Sequence, residues 1–130
     1  MVFKDKLHEE FYKTNIMRTN SSSDPYRKAL FYTLGLTDET RNNINTIYNF
    51  KERCIEIDGL NSGWQTGTTK KVTRLAFNLY NGMVHDCDAD FEINKVSQYY
   101  SVDEIFCCSL APYFFEAIKL RYPEYTHVEK

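Results

Sequence analysis

The chain has 130 residues, of which 42% are hydrophobic and 15% aromatic, a composition that excludes a disordered protein and fits a single domain. Its formal net charge of -2 provides no overall field for nucleic acid, so such binding would need a local basic patch. There is no membrane-spanning apolar run, no signal-peptide apolar region and no disulfide-framework spacing among the four cysteines, which together predict a cytoplasmic protein.

The first helix is predicted over roughly residues 4–19. Phe3, Leu7 and Phe11 recur every four residues, so we expect them to form the buried line of this helix. The polar stretch 20–23 contains no apolar residue and is predicted to be a loop.

Two further helices have clear start signals. Asp24 has the position of an N-cap with Pro25 in the first turn, and Gly35 is expected to end this second helix. Thr37 is predicted to cap the third helix. Its expected buried residues are Ile44, Ile47 and Tyr48.

A short extended piece is predicted in the middle of the chain. Residues 54–57 alternate between apolar and polar side chains, and Asp58-Gly59 is typical of a turn. We expect at most one short β-hairpin here.

The central helix, in the middle of the chain, has the clearest sequence pattern, with a start signal, an end signal and one apolar face. Thr68 or Thr69 is predicted as its N-cap and Gly82 as its end. One helical face is apolar, formed by Val72, Leu75, Ala76, Leu79 and Tyr80.

The last helical region contains a break. Ser101 and Glu104 have the spacing of a capping box, and Pro112 is expected to break or kink the helix that follows. Residues 125–130 are predicted to be a loose tail. The sequence therefore predicts one mainly α domain over residues 1–130, with five to six helices.

The polar face of the central helix is the first candidate site. It carries Lys70, Lys71, Arg74 and Asn78, with no acid among them. An ordinary solvated face and a face that binds phosphates and bases are both consistent with this pattern.

The acidic run after the central helix is the second candidate site. Its side chains are Asp86, Asp88, Asp90 and Glu92. The opening resembles a calcium loop, but Phe91 and Ser97 stand where such a loop needs glycine and glutamate. A solvated acidic loop and a negative surface for a basic protein partner remain open.

Metal and thiol chemistry have weak support. His85, Cys87, Cys107 and Cys108 could gather in space, but the chain contains no C-x-x-C pair and no nucleophile elbow. We therefore predict no metal, no cofactor and no catalytic residues.

Several stretches together resemble a family of small uncharacterised proteins from Gram-positive gut bacteria and their mobile elements. The stretches are 32–35, 63–67, 71–79, 105–109, 111–114 and 121–123. The resemblance implies a cytoplasmic accessory protein of a phage, plasmid or conjugative element, and it assigns no functional residue.

The leading functional hypothesis is a non-enzymatic protein that binds a protein partner. Its specific form is an inhibitor of a host defence nuclease, of the anti-CRISPR type, whose acidic run occupies a channel meant for nucleic acid. The alternative is a nucleic-acid-binding regulator that uses the basic face of the helix predicted over residues 69–81. A metal- or thiol-dependent enzyme is the weaker alternative, and no membrane association or oligomeric state is predicted.

Overall fold

Seven α-helices and one two-stranded hairpin form the fold of residues 1–86 and 97–128, the part of the chain that the structure, a computed structural model, describes. The helices are α1 Lys6–Thr19, α2 Pro25–Leu34, α3 Asp38–Asn42, α4 Ile44–Ile47, α5 Gly67–Asn81, α6 Val102–Phe106 and α7 Ala111–Arg121. Two short 3₁₀ helices span Ile57–Asn61 and Ser97–Tyr100. The hairpin pairs β1 Tyr48–Asn49 with antiparallel β2 Cys54–Ile55. The predicted mainly α class is confirmed.

Helix α2 lies at the centre of the molecule. Every residue from Ala29 to Leu34 is buried, and α1, α5 and α7 pack around the helix. The predicted cap is confirmed, because the Asp24 carboxylate accepts hydrogen bonds from the backbone N–H groups of Tyr26 and Arg27. The half of α2 from Ala29 to Leu34 is buried on all sides and needs no polar face, which fits its mainly apolar side chains.

Helix α5 begins earlier than predicted. Its N-cap is Thr66, so the assignment of the cap to Thr68 or Thr69 was wrong. Thr69 is instead the third helical residue, and its hydroxyl accepts from the Thr66 N–H at 2.7 Å while the Thr66 hydroxyl accepts from the Thr69 N–H at 3.2 Å. This reciprocal pair is a capping box built from two threonines in place of threonine and glutamate. The predicted C-terminal glycine is confirmed, since Gly82 has a φ of 78°.

Helix α1 buries a different face from the one predicted. Leu7 is 58% exposed, and Phe3 and Phe11 are only partly buried. The buried residues are His8, Tyr12, Asn15 and Thr19. His8 fixes this rotation, because its ring fits beside Gly35 at the end of α2, where a Cβ would lie 2.8 Å from the His8 ring.

Both ring nitrogens of His8 have partners inside the protein. Nδ1 accepts a hydrogen bond from the Lys4 N–H at 3.0 Å, so the proton must be on Nε2, which lies 2.7 Å from the Tyr32 carbonyl oxygen. A second proton on Nδ1 would face the Lys4 N–H. The neutral ring is therefore the form that this site accommodates.

We expect the stability of the protein to fall as the pH is lowered through the range in which histidine titrates. Burial lowers the pKa of His8 below its ordinary value of 6.5, so the unfolded chain takes up this proton at a higher pH than the folded chain. The free energy of unfolding should decrease by up to about 1.4 kcal/mol per pH unit between the two pKa values and level off below the lower one. Urea titrations from pH 8 to pH 5 measure this slope.

Two variants isolate the contribution of His8 to this slope. His8→Gln should remove it, whereas His127→Gln, at an exposed position, should retain it. An unchanged slope in the His8 variant would contradict the assignment.

The predicted third helix is divided in two, so the described residues contain seven α-helices where five to six were predicted. Thr37 caps α3 as predicted, but the helix ends at Asn42 and α4 starts after Asn43. Tyr48, predicted to be helical, is the first residue of β1 and is fully buried. The 3₁₀ helix that contains Gly59 packs directly against α4.

Candidate functional site

The polar face of α5 is bonded to other parts of the chain. The Lys71 ammonium group donates to the backbone carbonyl of Glu104 in α6. The Asn78 side-chain amide donates to the Met83 carbonyl oxygen at 2.8 Å, just beyond the end of the helix. These two predicted site residues therefore have structural partners.

Arg74 forms a two-point ion pair with Asp86. Its Nε lies 3.2 Å from Oδ1 and its Nη2 lies 2.9 Å from Oδ2, and the two side chains are only 12% and 20% exposed. The guanidinium carbon also lies 4.5 Å from the centre of the Tyr99 ring. From the sequence, Arg74 was a candidate for binding nucleic acid and Asp86 a candidate for binding a basic protein. In the structure these two residues pair with each other.

Two buried polar atoms lie near this ion pair, one in His85, the chain neighbour of Asp86, and one in Tyr100, on which the Asp86 carboxylate acts. The Tyr100 hydroxyl and His85 Nδ1 have no hydrogen-bond partner among the residues that the structure describes. Burial raises the pKa of Tyr100, and the Asp86 carboxylate raises it further, so this hydroxyl stays protonated at neutral pH. The ion pair thus lies in a partly dehydrated environment, which strengthens its attraction.

The remaining predicted site residues divide into two groups. Lys70 is half-buried and forms no ion pair with another residue in the ranges 1–86 and 97–128. Asp88, Asp90 and Glu92 lie outside the described residues, as does Cys87. Of the acidic run, only Asp86 is therefore placed by the structure.

The candidate metal ligands do not form a site in the described part of the chain. There, no group of three His, Cys, Asp or Glu side chains could hold a metal ion. Cys107 is exposed, whereas Cys108 is half-buried with its thiol 3.8 Å from the Ile105 carbonyl oxygen. The adjacent cysteines thus have different surroundings.

A polar cleft with a volume of about 520 Å³ was not predicted from the sequence. It lies between the C-terminal end of α1, the start of the hairpin and the 3₁₀ helix at Ile57–Asn61. Its charged residues are Arg18, Glu56 and Asp58. Arg18 is about forty residues from the two acids, and the three match no motif, so only the folded chain shows that they share a cleft.

The fold and sites define a small, mainly helical protein whose central basic face is bonded to its own C-terminal half. The chain belongs to the family of unknown function DUF6075, whose model matches residues 1–130. This confirms the predicted membership of an uncharacterised family. No curated protein and no solved structure matched the chain.

No helix within the described ranges 1–86 and 97–128 combines the length and the hydrophobicity that crossing a bilayer requires.

Proposed function

We propose that this protein is a non-enzymatic binding protein of a mobile genetic element that acts in the cytoplasm by contacting a protein partner. The observation that best supports it is the internal bonding of the α5 polar face. Lys71, Arg74 and Asn78 already have partners within the chain. The Asp86 carboxylate offsets the charge of Arg74, and the bonds of Lys71 and Asn78 use donors that would otherwise be free for phosphates.

The acidic run supplies the contact surface in this proposal. Asp86 is paired with Arg74, so the run starts from a fixed position at α5. Three further carboxylates, Asp88, Asp90 and Glu92, follow within six residues of it. A series of carboxylates is complementary to a basic channel that normally binds phosphates, and such complementarity accelerates association and selects partners. An inhibitor of a host defence nuclease, of the anti-CRISPR type, is the specific form of the proposal.

A nucleic-acid-binding regulator is the second proposal, and Lys70 is the feature that favours it. Lys70 has no ion pair within the described residues and lies in the first turn of α5, where backbone N–H groups also attract anions. One lysine gives a weak salt dependence, because each phosphate contact releases about one counterion. No contact in the described part of the chain favours an enzyme.

We expect neutralisation of the acidic run to weaken partner binding strongly. The test variant is Asp88→Asn/Asp90→Asn/Glu92→Gln, which spares Asp86 because that residue pairs within the chain. A tagged pull-down from host lysate after nuclease treatment should recover at least about tenfold less partner with this variant, since interfacial charge pairs contribute more than 1.4 kcal/mol in total.

A matched control separates contact from net charge. The variant Glu10→Gln/Glu52→Gln/Glu124→Gln also removes three negative charges, but from exposed positions outside the acidic run. It should retain the partner. Equal losses from both variants, or no loss from either, would exclude the acidic run as the contact surface. In a parallel pull-down without nuclease, a recovery dominated by nucleic acid that nuclease treatment removes would favour the second proposal.

A further inference from the structure

The polar cleft has walls that are fixed by bonds within the protein. Glu56 holds one wall, because its carboxylate accepts from the Asn49 side-chain amide at 3.1 Å and its N–H donates to the Ile47 carbonyl oxygen at 2.9 Å. Thr46 also lines the cleft, and its hydroxyl accepts from the Trp64 indole N–H at 3.1 Å. A cleft with such walls is organised before a ligand arrives, which lowers the entropic cost of binding.

The aromatic residues of the cleft are not available for stacking. The Arg18 guanidinium lies 3.5 Å from the centre of the Phe50 ring, and the Phe31 ring stacks parallel to Phe50 with 6.0 Å between centres. Tyr48 is fully buried, and its hydroxyl accepts from Arg27. A planar base or a sugar ring would therefore find no free aromatic surface, so recognition in this cleft must be polar.

The polar groups of the cleft favour a cationic ligand. Glu56 retains acceptor positions beyond its bond to Asn49, and the exposed Asp58 has no bonded partner among the described residues. Two carboxylates exceed the single positive charge of Arg18, which the Phe50 ring already engages. A volume of about 520 Å³ is within the range of small-molecule sites.

We propose that this cleft binds a guanidinium or ammonium group, with the carboxylates of Glu56 and Asp58 as its acceptors. Carboxylates and guanidinium groups form strong, geometrically matched hydrogen bonds. When the ligand also carries a carboxylate, Arg18 is placed to receive it. The group has two sources: a free basic amino acid, or a lysine or arginine side chain of the protein partner. The second source rests on the function proposed above.

Titrations with agmatine and L-arginine test the site itself. Agmatine carries a guanidinium and an ammonium group, and L-arginine adds a carboxylate. At low salt, both should shift the backbone NMR resonances of Asn49, Glu56 and Asp58 in a saturable manner. Affinity for agmatine should fall at least about tenfold in Glu56→Gln/Asp58→Asn, because the charge-assisted hydrogen bonds to both carboxylates are lost.

Two controls sharpen the measurement. Glu10→Gln/Glu124→Gln removes two exposed charges from other surfaces and should bind agmatine as the unmodified protein does. Arg18→Gln should lower the affinity for L-arginine relative to agmatine, because only L-arginine has a carboxylate for Arg18. Resonance shifts spread over the surface, or equal affinities in the two double variants, would overturn the proposal.

The pull-down distinguishes the two sources. If Glu56→Gln/Asp58→Asn also loses the protein partner, the ligand is a basic side chain of that partner. If this variant keeps the partner but not agmatine, the ligand is a free small molecule. Failure to bind agmatine overturns this inference whatever the pull-down shows, whereas the absence of any protein partner with agmatine binding intact contradicts only the proposed function.

Discussion

Replacing Gly59 with alanine is expected to destabilise the protein by about 2–3 kcal/mol, as overpacking of a close-packed contact does. A Cβ at this position would lie 2.4 Å from the Thr46 carbonyl oxygen and 2.5 Å from Cγ2 of Ile47. The carbonyl belongs to the backbone of α4 and cannot rotate away as the end of a side chain can. The 3₁₀ helix would have to separate from α4, which exposes the buried Leu60 and Ile47. Urea unfolding at neutral pH measures the loss.

Gly63→Ala is the matched control for this substitution. Gly63 is exposed, and a Cβ built there has no other atom within 4 Å. Its effect should stay within about 0.5 kcal/mol, as is usual for a surface substitution. If Gly59→Ala also changed the stability by no more than about 0.5 kcal/mol, the backbone at Gly59 would move without cost, and the close approach of α4 would have no energetic consequence.

The starts and ends of helices could be predicted where the signal is confined to a few neighbouring residues. Asp24 with Pro25, Thr37 and Gly82 occupy their predicted positions, because a cap depends on bonds within one helical turn. The start of α5 was missed for a related reason. The box formed by Thr66 and Thr69 uses a threonine where glutamate or glutamine is usual, so the sequence does not distinguish it from the threonines beside it.

The rotation of α1 could not be predicted because it depends on a distant part of the chain. The spacing of the apolar residues predicts a buried line formed by Phe3, Leu7 and Phe11. The helix instead buries Tyr12 and three polar residues, which are His8, Asn15 and Thr19. Each buried polar group has a bond that makes its burial possible, such as the contact between His8 and the Tyr32 carbonyl. A pattern based on hydrophobicity alone does not include those bonds.

The candidate sites show the same difference between local and distant information. The sequence identified Arg74 and Asp86 as charged residues of candidate sites. It could not show that these residues, twelve positions apart, form a bidentate ion pair in the folded chain. Whether a charge is free for a partner depends on its neighbours in space. The cleft charges are even further apart, with Arg18 at the end of α1 and Asp58 after the hairpin, so no local pattern connects them.

Replacing Arg27 with leucine is expected to destabilise the protein by about 3 kcal/mol, as the loss of one member of a buried, hydrogen-bonded charge network does. The Arg27 side chain is 17% exposed and pairs with Asp24 at 2.8 Å. It also donates to the hydroxyls of Tyr48 and Tyr80 and to the Arg53 carbonyl. These bonds join α2 to the hairpin and to α5. Leucine fills much of the volume but removes the guanidinium donor from all four partners, of which the Arg53 carbonyl keeps only the Tyr80 hydroxyl and Asp24 only its backbone donors. Chemical denaturation monitored by circular dichroism measures the change.

Two further variants separate the network from simple charge. Arg27→Lys should recover little of the loss, because an ammonium group has three donors and cannot match the planar arrangement that reaches all four partners. Lys13→Ala removes a cation from the exposed pair with Glu9 in α1 and should change stability by less than about 0.5 kcal/mol. If Arg27→Lys were as stable as the unmodified protein, a positive charge near Asp24 would account for the whole contribution of Arg27 to stability. The connection between α2, the hairpin and α5 would then depend on apolar packing and not on this guanidinium group.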